Sequence, residues 1–248
     1  MVKKARLVDL SNGTVNCACV IHGDMYSWRY VTTLYNMLLR NISAPIKLHV
    51  FTEATRSVPA PFIKHALRDW PSIHGPKRAW WYKMQMFDPS NFQGRLLYFD
   101  LDVVICDKLD WLVGLNPLSF WTIRDFRHLW RPSHIGINSS VMYWSTTDFA
   151  YVWEEFNSRS LSELTKTHEG DQDFLTHTLH KQHVRFFDET KVKSWRWQIK
   201  DGGMNYQRRS YISPNAGSVI PSGTAIMIFH GKPKPDQIRD NVIDRFWR

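Results

Sequence analysis

Two carboxylates, Asp100 and Asp102, stand inside the apolar stretch "LLYFDLDVVIC" with only Leu101 between them. A run this short, aromatic and β-branched predicts a strand covered on both faces. Burying a carboxylate there is unfavourable unless it is paired, hydrogen-bonded or bound to metal. Side chains alternate along a strand, so Asp100 and Asp102 converge while Leu101 faces the core. Two converging carboxylates repel each other unless a cation sits between them. Oxygen ligands favour a hard divalent ion, Mg(II) or Mn(II), of the kind that bridges carboxylates and substrate phosphates. Turn capping, or pairing with lysine or arginine, is the competing reading and suits an isolated Asp-x-Asp better than one set in an apolar run. If the strand proper ends near Phe99, the pair lies at the carboxyl edge of an open α/β sheet, where ligands bind.

The elements that would build such an edge alternate along the chain. "VNCACVIH" reads as a first strand, and "WRYVTTLYNMLLRN" as a helix with Tyr30, Leu34, Met37 and Leu38 on one side, ending near Asn41. "IKLHVFT" is a second strand. "PFIKHALRDW" predicts a helix opening on Pro61, and after a Pro/Gly-punctuated turn "KRAWWYKMQMF" predicts another, stopped by Asp88-Pro89. Beyond the aspartates, "LSFWTIRD", "SVMYWS" and "VRFFD" read as strands, and "TTDFAYVWEEFNSR" and "DQDFLTHTLHKQ" as helices. Residues 200–224, rich in Gly, Asn, Ser and Arg, predict a long mobile loop. "AIMIFH" is a last strand, and a closing helix falls within 235–248. With no repeat or low-complexity linker, the pattern predicts one α/β domain over 1–248, with 1–14 as an N-terminal extension.

Composition narrows the partners. The 248 residues carry 32 Lys+Arg against 23 Asp+Glu, a formal charge of +9 that suits an anionic partner. Twelve tryptophans beside so many basic residues raise the possibility of nucleic-acid binding. Most of these aromatics fall within apolar patterns, however, and no nucleic-acid-binding motif is present, so no nucleic-acid partner is expected. Cys17, Cys19 and Cys106 read as reduced core thiols. No apolar run approaches the roughly 18 residues of a membrane span, and "MVKKARLVDLSNGTVN" lacks the apolar core of a secretory signal. A cytoplasmic protein is the expectation.

Six motifs, taken in order from Val15 to about Lys234, resemble the nucleotide-sugar glycosyltransferases of the GT-A fold, specifically a group akin to family 8, which includes glycogenin and lipooligosaccharide galactosyltransferases. The resemblance implies a single Rossmann-like domain with a mixed, mostly parallel sheet flanked by helices. In "VIHGDMYSWRYVTTLYNML" the matching base-binding positions are Asp24 and Tyr26, though a turn residue and a core edge explain them equally well. In "RAWWYKMQMF", Lys83 is the candidate for a phosphate or sugar contact. In "LYFDLDVVICDKLDWL", Asp102 would be the metal ligand, with Asp100 on metal or ribose. "TIRDFRH" and "GINSSVMYW" supply Asp125 and Asn138 for sugar hydroxyls; Ser139 and Ser140 depart mildly from the family's small residues. "EGDQDFLTHTL" offers Asp171 and Gln172 beside the anomeric carbon, although Asp171 would also make a good helix N-cap; Asp173 is the alternative. In "IFHGKPKP", His230 would join the metal, and either Lys232 or Lys234 the diphosphate, because the segment is shorter than the family's usual spacing.

The expected activity is therefore transfer of a sugar, with UDP as the expected carrier, to a hydroxyl on a glycan, lipid-linked or protein acceptor. It would depend on Mn(II) or Mg(II) and retain anomeric configuration. A metal-dependent nucleotidyltransferase would share the acidic pair but leave His-Gly-Lys-Pro without a role. A non-catalytic RNA-binding protein would not explain acids within an apolar strand. The closing segment "DQIRDNVIDRFWR" spaces Ile238, Val242 and Phe246 on one helical face, extended by Trp247, with Arg239, Arg245 and Arg248 nearby. That pattern fits an anionic membrane surface, or an ordinary helix packed on the sheet.

Overall fold

The computed structural model describes residues 13–70 and 79–248. Most of the expected N-terminal extension and the turn before Ala79 lie outside them. The chain begins with β1 (Val15–Ile21), α1 (Trp28–Asn41), β2 (Ile46–Glu53) and β3 (Ile63–Leu67). A 3-10 helix, Ala79–Phe87, leads to β4 (Arg95–Phe99), followed by β5 (Val104–Ile105), α2 (Asp110–Val113), β6 (Phe120–Arg124) and β7 (Ile137–Ser145). Three helices follow: α3 (Ala150–Asn157), α4 (Leu161–Thr167) and α5 (Asp171–Thr178). The chain closes through β8 (Val184–Phe186), β9 (Val192–Ser194), β10 (Met204–Asn205), β11 (Ser210–Tyr211), β12 (Ile226–Ile228) and α6 (Asn241–Phe246).

Seven strands form a mixed sheet in the order β3-β2-β1-β4-β7-β6-β8. Strand β7 is antiparallel to both its neighbours, whereas the other pairings are parallel. Six strands therefore run one way and β7 runs against them. Both faces are covered, which is why the strands read as near-continuous apolar runs. On one face α1 buries Tyr30, Val31, Leu34, Met37 and Leu38 against Cys17, Cys19, Val50 and Phe99. On the other, Trp81, Tyr82, Met84, Phe156 and Phe174 pack on Ala18, Phe51, Tyr98 and Trp144. Cys17, Cys19 and Cys106 are free thiols, the first two fully buried.

A second sheet, β5-β12-β9, changes the setting of the aspartates. The stretch read as one strand is two. Strand β4 ends at Phe99 in the large sheet, and β5 begins at Val104 in the small one. Asp100 to Val103 make the turn between them, closed by Val103 N–H donating to Asp100 O at 3.3 Å. A turn, and not the alternation of one strand, therefore sets the two carboxylates. Strand β12 pairs antiparallel with β5, Ile226 opposite Ile105 and Met227 opposite Val104. Continued in register, that ladder returns the chain after Ile228 to the turn at Asp100–Val103, with Phe229 opposite Asp102 and His230 opposite Leu101.

Two expected helices differ from the structure. "PFIKHALRDW" forms β3, parallel to β2 at the edge of the large sheet. Its apolar spacing mimics a helix, but only Leu67 is buried, and the backbone instead completes the open side of β2. His65 stacks on Phe51 at 4.6 Å there. The closing helix is shorter than expected: a 3-10 turn at Pro235–Gln237, then α6. Residues 200–224 contain the β10-β11 hairpin and lack a long helix or strand.

The face offered to a membrane turns onto the protein instead. Ile243 and Trp247 are buried, and Ile238, Val242 and Phe246 pack against the same core. Trp247 meets Tyr30 edge-on at 5.1 Å, and Arg29 lies 4.8 Å over its ring. Arg40 donates to the carbonyls of Phe246 and Arg248 at 2.9 and 2.6 Å, satisfying groups that a helix end leaves open. Among the described residues no helix is long and apolar enough to cross a membrane. Trp247→Ala is expected to destabilise the protein by about 3 kcal/mol and Arg40→Ala by about 1 kcal/mol, read as urea-unfolding midpoints. An unchanged midpoint for Trp247→Ala would show that α6 is not docked.

Candidate active site

The carboxyl edge of the large sheet gathers charge around Lys83. This lysine sits in the middle of the nine-residue 3-10 helix, where residues three apart align, so Lys83 shares a row with Trp80 and Met86. Its ammonium is 2.8 Å from Asp100 Oδ1 and 3.3 Å from Asp171 Oδ2, and donates to Ser139 Oγ at 3.2 Å. Ser139 Oγ in turn donates to Asp171 Oδ2 at 2.6 Å, and Ser139 N–H to Gln172 Oε1 at 3.1 Å. Tyr98 OH donates to Asp100 Oδ1 at 2.5 Å. Burial opposes charge on both partners, but the facing carboxylates hold Lys83 protonated well above its usual range, and Lys83 holds Asp100 low.

Asp171 was expected to serve as a helix cap or a site residue, and the structure decides against the cap. It occupies the first position of α5, is 4% exposed, and points to Lys83 and Ser139. The cap position belongs to Gly170, where a Cβ would come within 2.8 Å of Trp80 Nε1. Asn138 turns its amide oxygen to Ser140 N–H at 3.1 Å. Asp100 N–H donates to Ser140 O at 2.8 Å, continuing the β4-β7 ladder into the turn.

Asp102 faces a different set of partners. Tyr26 OH donates to its Oδ2 at 3.0 Å, and the Lys234 ammonium pairs with the same oxygen. Lys234 also lies 5.5 Å from the centre of the Tyr26 ring. Burial, followed by the nearby Asp100 charge, raises the Asp102 pKa against the opposing pull of Lys234 and Tyr26. Three acids, the buried Asp102 and Asp171 and the half-buried Asp100, thus meet two ammonium groups, Lys83 and Lys234, so that the carboxyl groups outnumber the ammonium groups by one. The lysine at the aspartates is Lys234; Lys232 is exposed.

His230 follows β12, stacked on Trp197 at 4.7 Å and edge-on to Phe126 at 4.9 Å. Desolvation lowers its pKa to about 4, so the ring is neutral near pH 7. Its Nε2 is buried without a hydrogen-bond partner. A buried, unpartnered imidazole nitrogen of this kind, on the segment that β12 returns to the aspartate turn, suits a metal ligand. The carboxylate pair and its unbalanced charge fit the same ion.

Asp125, at the end of β6, is fully engaged. It accepts from Arg127 N–H and Nε, both at 2.8 Å, and lies 3.1 Å from His134 Nε2. Burial raises its pKa, but these hydrogen bonds overcome it and hold the group ionised. Asp24 is exposed on the loop after β1. That loop is fixed by Glu53, which accepts from Gly23 N–H at 2.5 Å and pairs with Arg56 at 2.8 Å. Gly23 has φ +65°, a conformation that disfavours a side chain.

Sequence reasoning missed the Tyr26 and Lys234 contacts to Asp102, the Tyr98 contact to Asp100, and the Arg127 and His134 contacts to Asp125. Tyr98 was findable, since it lies two residues before Asp100 on the same strand. The others join residues far apart in the chain or across a turn.

Lys83→Met leaves Asp100 and Asp171 without their shared cation, and is expected to cost about 3–5 kcal/mol of stability in urea unfolding; a loss below 1 kcal/mol would refute the shared ion centre. Glu53 gives a pH test. Burial raises its pKa, but hydrogen bonds from Arg56, Gly23 and Thr52 bring it to about 2 from an ordinary 4.5. Its contribution is therefore complete above about pH 5 and lost as pH falls toward 2. Relative to Glu53→Gln, the wild type should gain about 2 kcal/mol at pH 7, allowing for solvent screening, with the gap closing through that window. A pH-independent gap would contradict the assignment.

No protein-family model and no curated protein matches the amino-acid sequence. Solved structures do match the fold. The galactosyltransferase LgtC, in complex with donor and acceptor sugar analogues, aligns with TM-score 0.59 and 13% identity over 89% of each chain. The glycosyltransferase GlyE of Streptococcus pneumoniae TIGR4 gives TM-score 0.61 at 13% identity over 94% of this chain and 60% of its own. Mouse xyloside xylosyltransferase 1 in its apo form gives 0.53 at 15% identity over 88% of this chain and 98% of its own. The chain has the GT-A fold of these glycosyltransferase structures.

Proposed function

We propose that the protein is a metal-dependent glycosyltransferase that moves a hexosyl group from a nucleotide diphosphate sugar, with UDP as the carrier, to a hydroxyl of a glycan, lipid-linked or protein acceptor. The observation that carries the reading is the charge-unbalanced cluster of Asp100, Asp102 and Asp171 with Lys83 and Lys234, beside the orphaned His230 Nε2. A nucleic-acid or protein-binding surface has no use for buried acids in this number. LgtC, solved with donor and acceptor sugar analogues, supports both substrates by its fold.

Asp102 and His230 would hold Mn(II) or Mg(II), with Asp100 on the metal or the ribose. When bound, the ion neutralises charge on the diphosphate leaving group. Lys234 acts as the resident counter-ion of Asp102. With that carboxylate on a metal, Lys234 would be free to pair with the diphosphate, a role that exposed Lys232 would fill less well. Tyr26 and Asp24 lie on the loop where the base would be read. Lys83 holds Asp171 and Gln172 at the sugar through Ser139, and Asp125 and Asn138 would meet its hydroxyls. During transfer the acceptor hydroxyl oxygen bonds to C1 while the C1–phosphate oxygen bond breaks, its electron pair leaves with the nucleoside diphosphate, and the hydroxyl proton passes to the departing phosphate oxygen. Asp171 stabilises the positive charge that develops on the sugar, and retention of configuration follows from the family 8 likeness. Residues 200–224 would close over the donor.

A thermal-shift panel of nucleotide sugars and free nucleoside triphosphates, with and without Mn(II), tests this reading. A UDP-sugar with Mn(II) at about a hundredfold over Kd should raise Tm by roughly 5 °C. Asp102→Asn should abolish the metal-dependent part, His230→Ala should weaken metal and nucleotide together, and Lys234→Ala should weaken nucleotide more than metal. A preference for free triphosphates over every nucleotide sugar would reject glycosyl transfer in favour of nucleotidyl transfer.

A further inference from the structure

The connection from α4 to α5 carries a cluster with no part in the site above. His168 closes α4, Asp173 lies in the first turn of α5, and His177 follows one turn later. His168 Nδ1 is 3.3 Å from Asp173 Oδ2, and His177 Nδ1 is 3.3 Å from Asp173 Oδ1. One ligand atom from each residue can be chosen so that all three lie within 4.8 Å of one another. Zinc takes imidazole nitrogen and carboxylate oxygen at about 2.0–2.2 Å in a tetrahedron, whose ligand-to-ligand edges are then about 3.3–3.5 Å. Each His–Asp separation has the length of such an edge, but to a different oxygen of Asp173, so a small turn of the carboxylate brings one oxygen to face both imidazoles. Spacing contributes as well, because residues four apart on a helix lie on one face, which puts Asp173 and His177 together and leaves His168 to reach in from the preceding turn.

We propose that His168, Asp173 and His177 form a Zn(II)-type site with an open fourth position for water, separate from the metal proposed at Asp102. Two histidines with one carboxylate favour a borderline ion over Mg(II), which prefers oxygen alone. Access is open: His177 is 64% exposed, Asp173 35% and His168 11%. Glu169 N–H donates to Asp173 Oδ2 at 3.2 Å, fixing the carboxylate from outside the ligand set. Phe174 lies edge-on to His168 at 5.4 Å and limits its ring. The Nδ1 of His177 is also 2.7 Å from Asp173 O. Metal binding requires that nitrogen to be unprotonated, so the ring takes the Nε2–H tautomer and gives up this bond. The ion would staple the end of α4 to the start of α5, the helix that carries Asp171 and Gln172.

The test is titration of Co(II), followed by its visible d–d absorption, and of Zn(II), followed by calorimetry, using untagged full-length wild type, His177→Ala and Asp102→Asn. Wild type and Asp102→Asn should both show the strong absorption of four-coordinate Co(II), and His177→Ala should lose it, with Zn(II) affinity falling at least tenfold. Because His177 is exposed, its removal should leave metal-free Tm unchanged, while stabilisation by Zn(II) disappears. Failure of wild type to bind Co(II) would overturn the proposal, as would absorption unchanged in His177→Ala or lost only in Asp102→Asn. None of these readouts depends on glycosyl transfer, so the site stands or falls apart from that reading.

Discussion

An ammonium buried as deeply as that of Lys83 must be surrounded by opposite charge, because water no longer solvates it. The groups that answer this demand come from separate parts of the chain: Asp100 from the end of β4, Asp171 from the start of α5, and Ser139 from the start of β7. Each also binds another member, Ser139 to Asp171 and Gln172, Tyr98 to Asp100. The result fixes the 3-10 helix, two strands and a helix to one point at the edge of the sheet. Buried ion centres add little net stability compared with apolar packing, but they fail badly when one member is lost. This one therefore sets geometry more than it sets stability.

The same electrostatic logic extends to the turn after β4. Asp100 is already matched by Lys83, so its neighbour Asp102 meets a partly neutralised carboxylate as well as its own burial. Its raised pKa records that incomplete compensation. Tyr26 and Lys234 are drawn in from opposite ends of the chain to offset it. A neutral imidazole with an unpartnered nitrogen follows the strand that returns to this turn. The edge is thus arranged around a charge deficit, which is what a site for a divalent ion and a diphosphate requires.

Much of this was legible in the residues. The alternation of strands and helices, the amphipathic spacing of α1, and the burial of Asp102 among apolar neighbours follow from local pattern. The parts that were not legible depend on long-range pairing. Phe62, Ile63, Ala66 and Leu67 repeat as a helix would, yet the vacant edge of β2 recruits Ile63–Leu67 as β3, since a backbone ladder outweighs a weak propensity. Asp100 and Asp102 look like strand neighbours because apolar residues flank both sides, but those flanks belong to two different sheets. Whether Lys232 or Lys234 reaches the aspartates depends on the path of the chain after β12, which no periodicity encodes. The short helix α4 and the three-residue β9 fall below the length at which a pattern is readable.

The reversed direction of β7 bears on how this protein can diversify. Six strands of the large sheet release the chain at the edge where the acids gather, whereas β7 receives it there. The segment from Phe126 to Gly136, which enters β7, therefore lies on the chemical side of the sheet, and the segment that leaves β7 after Ser145 emerges on the far side. Lengthening or recoding the entry segment would remodel the surroundings of Asn138 and Ser139 without disturbing the strand ladder. The segment after Ser145 has no such latitude, because Thr146 and Phe149 are buried and Thr146 is bonded to Phe92 and Gly94. Variation among descendants of this chain would then be filtered differently on the two sides, with specificity evolving through the entering loop and packing holding the leaving one constant.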